Sequence, residues 1–539
     1  MGIVLVIFGC PLSGTRYFLS VTKKEYNTSV IHRQLSFSTK RHPISLCLLI
    51  GGLAYTIIWS IYTLFLSPLR KVSGPWYASL TRHWLTPYSA VGQQQTALDM
   101  LHRRYGPIVR IAPTTVSFAH ASATPAIYSR ASGLPKDPVV YDQLNVLHRR
   151  HLFVIHDPAA AKARRRLLVG GFGPARLREF DGVVAEMVES AVERISEQAG
   201  KEGSADLLKW LYFMAVDVVS AFGFGGAIGM LEGGEVGAIS RETPIIKDYK
   251  AMTQYIGLRL AFPWLLWLGS RLPFGPAQRI QATFDRVEDY GAEKLREFSG
   301  EEGRLKKNTM LARIVEEQKK SKSDSRYHLD RKDVEAEAAA MLFGGTDSVS
   351  NTLAYTIYAI LSHPEAHAKL LEALEPLKAQ DTSTLRDDDF KEIPYLQHVL
   401  DESLRLYGAV QVFLHRTVPA GGRKLGGVFL PEGTTVGTQA WSVHRNDEFF
   451  PEAEKFIPER WEQPTELMKK MFMPWGGGSR ICIGRGLAMM ELRRTTAVFF
   501  LKLGNRVKLA PGTNAESMEA EAYFVMRPKG GKVEVVITE

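Results

Sequence analysis

The chain has 539 residues, of which 45% are hydrophobic, 23% charged and 10% aromatic. Those fractions are typical of a folded globular protein and exclude a mainly disordered, collagen-like or coiled-coil chain. The net charge is +10, but the first 43 residues hold six basic residues against one acidic residue, so the remainder is only mildly basic. A nucleic-acid partner is therefore not indicated. Three cysteines are too few for a disulfide framework, and Cys482 is the only thiol after residue 50.

The N-terminal part of the chain divides into two segments. Residues 1–43 form a basic extension that either resembles a mitochondrial presequence or is a wrongly assigned start of the chain. Residues 44–66 then give 23 positions without a charge, and such a helix spans about 35 Å against roughly 30 Å of hydrocarbon core. We predict a single-pass transmembrane anchor over 44–66, with a buried core helix as the alternative. The basic residues before the anchor, taken alone, would keep the N-terminal end in the cytosol and place the rest of the chain across the membrane.

Residues 67–539 are predicted to form one large domain. Residues 107–119 alternate well enough for a strand or hairpin edge. Between about 158 and 377 the apolar positions recur with a helical period, and 223–237 and 318–332 are predicted as surface loops. The expected fold is mainly α (α+β), a large helical domain with small β-sheets.

The strongest predicted helix, Asp333 to Leu361, is apolar nearly all round its second half, so we expect it in the core. Its middle reads GGTDS, residues 344–348, and each glycine costs about 1 kcal/mol relative to alanine. This weak centre indicates a bulge or the close approach of a ligand, with a helix contact through small residues as the alternative. Asp347 favours a function, because a buried carboxylate without a task or partner is costly.

Cys482 lies in a glycine-rich loop, Pro474 to Gly484, followed by an apolar run that predicts a helix over 487–500. Backbone N–H groups of such a loop and the next helix N-terminus stabilise an anion, so we expect the pKa of the thiol to be lowered. A nucleophile would need a base, and no Cys-His motif is evident around this cysteine. A lone thiolate beside Arg480 suits haem, with sulfur on iron and guanidinium on a propionate.

The string WGGGSRICIG resembles the haem-binding signature of the cytochrome P450 family, F-x-x-G-x-R-x-C-x-G. Gly478, Arg480, Cys482 and Gly484 occupy the matching positions, and Trp475 replaces the phenylalanine. The resemblance implies the cytochrome P450 fold and haem b (iron protoporphyrin IX) as cofactor, with Cys482 as its axial ligand.

Glu402 and Arg405 resemble the E-x-x-R helix of that family. The spacing itself is common, since three positions apart only places two side chains on one helix face. This copy is the one followed by Arg416, which matches a propionate-binding arginine, and by Pro458-Glu459-Arg460-Trp461, which is similar to P-E-R-F. The resemblance implies a structural cluster of Glu402, Arg405 and Arg460 beneath the cofactor.

The segment GGTDSV, residues 344–349, resembles the A-G-x-D-T-T motif on the opposite face of the haem. The resemblance implies that Asp347 and Ser348 are catalytic and deliver protons during oxygen activation. Serine here replaces the usual threonine, which keeps the hydroxyl and loses a methyl group. The alternative for Ser348 is a hydrogen bond to the carbonyl four residues earlier in its own helix.

A further departure lies at residues 161–166. The family often has Trp or His four residues before an arginine, and both contact propionates. Arg165 matches the arginine, whereas Ala161 fills the aromatic position. One propionate contact is therefore missing or supplied by Arg164.

The resemblance implies a membrane-anchored haem-thiolate monooxygenase that uses O2 and electrons from NADPH-cytochrome P450 reductase, with cytochrome b5 as a second candidate donor. It is similar to fungal enzymes that hydroxylate, epoxidise or desaturate lipophilic terpenoids or polyketides of secondary metabolism. The implied location is the endoplasmic reticulum membrane, with the catalytic domain facing the cytosol. Two rivals stay open: a reductase-independent isomerase or dehydratase on the same fold, and a non-enzymatic membrane-tethered haem protein.

Two surfaces are also implied. The substrate pocket would use residues 135–157, 255–274, Phe343, 410–414 and 523–524. An acidic electron donor would meet basic residues around the thiolate side of the haem, namely Arg149, Arg150, Arg164, Arg166, Arg485, Arg493 and Arg494.

Overall fold

The computed structural model describes residues 42–538 except 146, 233–258, 260–261, 263–270, 272–274, 298–308, 313, 315 and 317–327. The basic extension up to residue 41 lies outside the described residues. So do most of the predicted pocket segment 255–274 and most of the predicted loop 318–332.

Most of the described chain is helical, as predicted. The helices are α1 (His42–Ile61), α2 (Trp76–Leu80), α3 (Thr86–Ala90), α4 (Gln94–Tyr105), α5 (Ala123–Tyr128), α6 (Pro138–Leu144), α7 (Pro158–Val169), α8 (Pro174–Glu202), α9 (Leu207–Phe224), α10 (Pro276–Glu297), α11 (Arg331–Ser362), α12 (Pro364–Leu374), α13 (Asp387–Lys391), α14 (Pro394–Tyr407), α15 (Ala440–His444), α16 (Glu466–Met471) and α17 (Arg485–Leu503).

The strands are short and form small sheets, which confirms the other half of the fold prediction. They are β1 (Ile108–Ala112), β2 (Thr115–Phe118), β3 (Ala205–Asp206), β4 (Arg416–Thr417), β5 (Arg423–Leu425), β6 (Val428–Leu430), β7 (Thr435–Gly437), β8 (Val507–Leu509), β9 (Ala520–Ala522), β10 (Met526–Pro528) and β11 (Glu534–Ile537). The first sheet has the order β1-β2-β7-β4, with only β2 and β7 parallel. Its β1–β2 hairpin lies in the segment 107–119, where the alternation predicted it.

Helix α11 runs through the core, as its apolar pattern predicts. It begins at a capping box, in which the Asp330 carboxylate accepts from the Asp333 N–H at 2.8 Å and the Asp333 carboxylate accepts from the Asp330 N–H at 3.1 Å. The helix is continuous α-helix from residue 331 to 362, so the predicted bulge at its centre is absent from this described segment. It packs against α9, α14 and α17, and side chains such as Leu353 and Ile357 are fully buried.

Helix α1 continues through a π-helical turn, Tyr62–Leu66. The stretch Leu46–Leu66 is long and apolar enough to cross a membrane by length and composition, and 6% of its apolar window is buried. A second apolar helix, Leu207–Phe224, passes the same test but is 78% buried, which identifies it as a core helix. The end of the first stretch contacts the domain, because Arg110 donates from Nη1 to the Thr63 carbonyl at 2.9 Å.

Candidate functional site

A cavity of about 390 Å³ lies between the middle of α11 and the loop that carries Cys482. Its walls are mainly apolar and come from α7, α9, α11 and the segment that follows α14. Phe343, Val410, Leu414 and Phe524 line it, together with part of the segment 135–157, as predicted. The Tyr523 side chain does not line the cavity; its ring lies 4.7 Å from the Arg527 guanidinium carbon.

The glycine-rich loop is held in a fixed shape by its backbone. The Cys482 N–H donates to the Trp475 carbonyl at 2.9 Å and closes the loop. Gly478 has φ +62°, and a Cβ at this position would lie 2.2 Å from the Tyr128 carbonyl oxygen, so only glycine fits there. Gly484 is the N-cap residue of α17, which begins at Arg485. The loop therefore places Cys482 just before a helix N-terminus, with its thiol on the cavity wall.

The Cys482 thiol is open to the cavity but is otherwise surrounded by the protein. Burial raises the pKa of this thiol, and that effect exceeds the lowering by the Gly484 and Arg485 N–H groups and by the charge of Arg165. The backbone N–H groups therefore act in the expected direction, but the expected net lowering of the thiol pKa is wrong, because the desolvation of a buried thiolate costs more than these groups return. A metal cation that coordinates the sulfur would supply the missing stabilisation.

Three of the predicted cofactor-binding side chains, Arg165, Arg416 and Arg480, line this same cavity. Arg165 donates to the Ile481 carbonyl at 2.8 Å, and Arg416 donates to the His415 carbonyl at 2.8 Å. Burial and the nearby charges of Arg416 and Arg165 lower the pKa of Arg480. The Arg480 Nη1 atom is buried and has no hydrogen-bond acceptor among the described residues.

These residues fit a haem. Arg416 is buried and Arg165 and Arg480 are half-buried, and such a cluster of guanidinium groups with an unsatisfied donor favours anions, which the two propionates of a haem would supply. The Cys482 sulfur is an open soft ligand on one wall. On another wall, a Cβ added at Gly344 would meet no atom within 4 Å, so the backbone of α11 leaves space there.

The two glycines in the middle of α11 have different surroundings: one makes a helix–helix contact, and the other lines the cavity. Gly345 makes a helix contact, because a Cβ there would lie 2.7 Å from Val219 Cγ2 on α9. Gly344 and Ser348 line the cavity. The Ser348 hydroxyl donates to the Gly344 carbonyl at 2.6 Å, which is the alternative bond predicted from the sequence. Asp347 does not line the cavity, although it directly precedes Ser348.

The Glu402 carboxylate is the centre of a buried polar cluster under the loop. It accepts from Arg405 Nε at 2.8 Å and Nη2 at 2.7 Å, and from Arg460 Nε at 2.9 Å. It also accepts from the Ile457 N–H at 2.9 Å and from Trp461 Nε1 at 2.9 Å. The predicted neighbours are thus in contact, and the indole bond of Trp461, which no spacing argument anticipated, adds a further donor.

Arg164 is already paired with a buried carboxylate. Its Nη1 lies 2.6 Å from Glu337 Oε1, and both side chains are almost completely buried. The same Glu337 oxygen accepts from the Leu152 N–H at 2.8 Å, so the pair ties α7 and the preceding segment to α11. Of the two readings of the Ala161 substitution, the one that used Arg164 is disfavoured because this guanidinium already has a buried counterion.

The predicted basic surface is smaller than the sequence suggested. Arg493 and Arg494 are buried, where they pair with Asp387 and Asp181 at 2.8 Å and 2.7 Å. Their predicted place on an exposed surface is wrong, because α17 packs these faces against α8 and α13. Arg166 and Arg485 are exposed, whereas Arg149 and Arg150 pair at the surface with Asp330 and Asp142.

Three polar side chains that the sequence did not single out also line the cavity: Lys136 and His151, which lie within the predicted segment 135–157, and Glu337 of α11. Burial, with the charges of Lys136 and Arg164, lowers the pKa of His151 to about 3, so its imidazole is neutral. No motif marks these positions, and a lysine or histidine outside a regular element gives no periodicity signal. Only the fold shows which side chains of that segment reach the cavity and that Glu337 joins them.

Known proteins are similar to this chain over most of its length. A family model described as Cytochrome P450 matches residues 75–535. Cytochrome P450 monooxygenase orf2 of Aspergillus niger is 33% identical over 489 residues, which cover 89% of this chain and 96% of that protein. Cytochrome P450 monooxygenase cypX of Dothistroma septosporum is 31% identical over 507 residues, covering 92% and 96%. Benzoate 4-monooxygenase bphA of Aspergillus niger is 30% identical over 468 residues, covering 82% and 89%.

Proposed function

The chain belongs to the cytochrome P450 family, and from that premise we propose that it is a membrane-anchored haem monooxygenase that oxidises a lipophilic natural product. The observation that carries the proposal is that Cys482 and Ser348 lie on the walls of one mainly apolar cavity. Such a cavity holds a flat cofactor and an apolar guest together and keeps bulk water away from both.

We assign the cofactor contacts as follows. Cys482 ligates the iron, and Arg165, Arg416 and Arg480 neutralise the propionates. Gly478 and Gly484 shape the loop, and Glu402, Arg405 and Arg460 support it from below. Haem b, when bound, supplies one-electron redox chemistry and the activation of dioxygen.

The proton path is assigned to Asp347 and Ser348. The Ser348 hydroxyl faces the cavity, and while it donates to the Gly344 carbonyl its lone pairs can accept from a water molecule there. Rotation of the hydroxyl away from Gly344 would release its proton toward the cavity. Asp347 at the next position is the proposed source of the replacement proton, and it reaches the cavity through Ser348 or water because it does not line the wall itself.

The proposed division of the chain is a targeting or uncertain extension at 1–43, an anchor at 44–66 and the catalytic domain at 67–539. The exposed apolar surface of Leu46–Leu66 supports the anchor. We propose the endoplasmic reticulum membrane, with the domain on the cytosolic side, and NADPH-cytochrome P450 reductase as electron donor, with cytochrome b5 as a second donor. Alkaline carbonate extraction and protease protection of the full chain in microsomes test the membrane assignment.

The proposed substrate is a terpenoid or polyketide of fungal secondary metabolism, and the reaction is a hydroxylation, epoxidation or desaturation. The apolar walls support a lipophilic guest, and the relatives from Aspergillus and Dothistroma support a fungal source. A substrate screen by the shift of the haem spectrum on binding tests this part.

The first experiment is the carbon monoxide difference spectrum of the reduced, detergent-solubilised protein. Cys482→Ser is compared with Cys47→Ser, which removes the exposed thiol of α1. We expect a strongly red-shifted Soret band in the wild type and in Cys47→Ser and its loss in Cys482→Ser. A red-shifted band that survives in Cys482→Ser would refute the ligand assignment.

The second experiment separates the monooxygenase from its rivals. With reductase, NADPH and 18O2, a monooxygenase that hydroxylates or epoxidises incorporates one labelled atom per product, and a desaturase consumes NADPH and oxygen in step with product. An isomerase or dehydratase works without NADPH, and a haem carrier gives no product.

Ser348→Thr should lower the peroxide released per NADPH if the missing methyl group causes uncoupling, and an unchanged yield would refute that reasoning.

A further inference from the structure

Lys136 is a buried ammonium group in the cavity wall. Its side chain is 6% exposed, and its Nζ donates to the Phe153 carbonyl. The same atom lies 4.3 Å from the ring centroids of Tyr141 and Phe153. These contacts orient the amine, but a carbonyl and two ring faces do not neutralise a charge in a low-dielectric interior.

The carboxylates near Lys136 are engaged elsewhere. Asp137, the next residue, caps α6 by accepting from the Val139 and Val140 N–H groups, and its other oxygen accepts from Thr435. Glu337 on the cavity wall is paired with Arg164 at 2.6 Å. Within the described ranges, no carboxylate forms an ion pair with Lys136.

The charges that act on the Lys136 amine are instead positive. A β-bridge pairs the backbone of Lys136 with that of Arg416, and Arg480 lines the same cavity. Burial, followed by the charges of Arg416 and Arg480, holds the pKa of Lys136 well below its usual value. Three basic side chains thus converge on one region of the cavity, where the Arg480 Nη1 atom also lacks an acceptor among the described residues. The site is therefore built for an anion that the chain itself does not provide.

We propose that Lys136 binds a propionate of the haem and supplies the contact that Ala161 cannot make. The inference rests on the proposed haem binding. Arg164, the other candidate, is held by Glu337, whereas Lys136 lies near Arg416 and Arg480, two of the three arginines already assigned to the propionates. A propionate carboxylate accepts from several donors at once, so it can satisfy Lys136 together with Arg416 or Arg480.

Through Lys136, the haem propionate would be connected to the part of the cavity wall that includes Phe153 and Phe524. Lys136 holds the Phe153 carbonyl, and the Phe153 ring lies 5.3 Å from the ring of Phe524, which lines the cavity. Loss of the propionate contact would release both the amine and the main chain at Phe153. Lys136 is therefore a positioning residue: it holds the haem and Phe153 in place, and these in turn contact the substrate.

The test compares two neutral variants with one charged variant and one control. Lys136→Met removes the charge and the hydrogen bond, whereas Lys136→Gln removes the charge and keeps a donor for the Phe153 carbonyl. Lys136→Arg restores the charge. Lys162→Met removes an exposed lysine from α7 and is the matched control. The readouts are the rate of haem transfer to excess apomyoglobin and the midpoint reduction potential.

We expect haem loss to accelerate about tenfold or more in both neutral variants, as for one lost charged hydrogen bond. The potential should move to more negative values in both, because removal of a nearby positive charge stabilises the ferric state. Lys136→Arg should restore both quantities, and Lys162→Met should leave them unchanged. The Lys136→Gln variant also guards against a folding defect, since it conserves the bond to Phe153.

Unchanged haem loss and potential in Lys136→Gln would overturn the assignment, as would a defect that Lys136→Arg does not reverse. Normal haem retention with weakened binding of an acidic substrate would also overturn it, because the amine would then serve the guest. These outcomes leave the proposed function intact. Failure of the wild-type chain to bind haem would instead refute the proposed function, so the two failures are distinguishable.

Discussion

Substitution of Glu402 by glutamine should strongly destabilise the domain. The carboxylate is fully buried and accepts five hydrogen bonds, from Arg405 (twice), Arg460, Trp461 and the Ile457 N–H. Glutamine removes the negative charge. Its NH2 group also replaces one carboxylate oxygen, so the N–H donors that faced that oxygen lose their acceptor. The fully buried Arg405 then keeps only carbonyl oxygens as partners.

The expected loss follows from the burial of both partners. The side chains of Glu402 and Arg405 are 0% exposed, and breaking a buried ion pair from one side costs about 3–5 kcal/mol. That cost is a large part of the about 5–15 kcal/mol that stabilises a typical domain. Arg405 also donates from Nη1 to the His444 and Ala453 carbonyls at 2.6 Å each, so displacement of the guanidinium disturbs the segment that leads to the Cys482 loop.

The assay is equilibrium urea denaturation of the haem-loaded protein, followed by far-ultraviolet circular dichroism and by Soret absorbance. Glu466→Gln is the matched control, because its ion pair with Lys469 at 2.8 Å is exposed, with the Glu466 side chain 90% accessible. An exposed pair of this kind contributes less than about 1 kcal/mol. A loss in Glu402→Gln no larger than that of the control would refute the reasoning from burial.

Three other predictions follow from single positions. Gly478→Ala should abolish haem incorporation, measured as haem per protein, because its Cβ would lie 2.2 Å from the Tyr128 carbonyl. Arg110→Met should speed limited proteolysis between anchor and domain, because it removes the 2.9 Å bond to the Thr63 carbonyl. His444 is buried with a pKa lowered from 6.5 to about 3. The unfolded chain therefore takes up a proton below pH 6.5 that the folded state refuses, and stability should fall by about 1.4 kcal/mol per pH unit toward pH 3. His444→Gln should reduce this slope in urea titrations at several pH values.

The first two of these predictions each have a matched control variant. Gly531→Ala also places alanine at a positive φ, +69°, but in open space, so it should retain haem. Arg104→Met removes an exposed arginine of α4 and should leave the proteolysis rate unchanged. Equal haem loss in the two glycine variants, equal proteolysis in the two arginine variants, or an unaltered pH slope in His444→Gln would contradict the respective argument.

The sequence by itself determined those features that depend on local pattern. Periodicity predicted α11 between Asp333 and Leu361, and the structure extends it by only two residues at the start and one at the end. Alternation predicted the β1–β2 hairpin, and the apolar run after Cys482 predicted α17. Glycine and cysteine at fixed spacing marked the candidate haem loop. These signals are local because hydrogen bonding within a helix or hairpin, and backbone freedom at glycine, involve only near neighbours along the chain.

The tertiary structure decided which charges meet. Nothing in the sequence showed that Arg164 pairs with Glu337, 173 positions away, or that Arg493 and Arg494 are buried. Nor did the sequence show that Lys136 lies near Arg416 and Arg480. It also did not show that desolvation raises the pKa of Cys482 by more than the N–H groups of the loop lower it. Charge and burial are properties of the packed interior, since Coulomb energy and desolvation depend on distance and dielectric rather than on order along the chain.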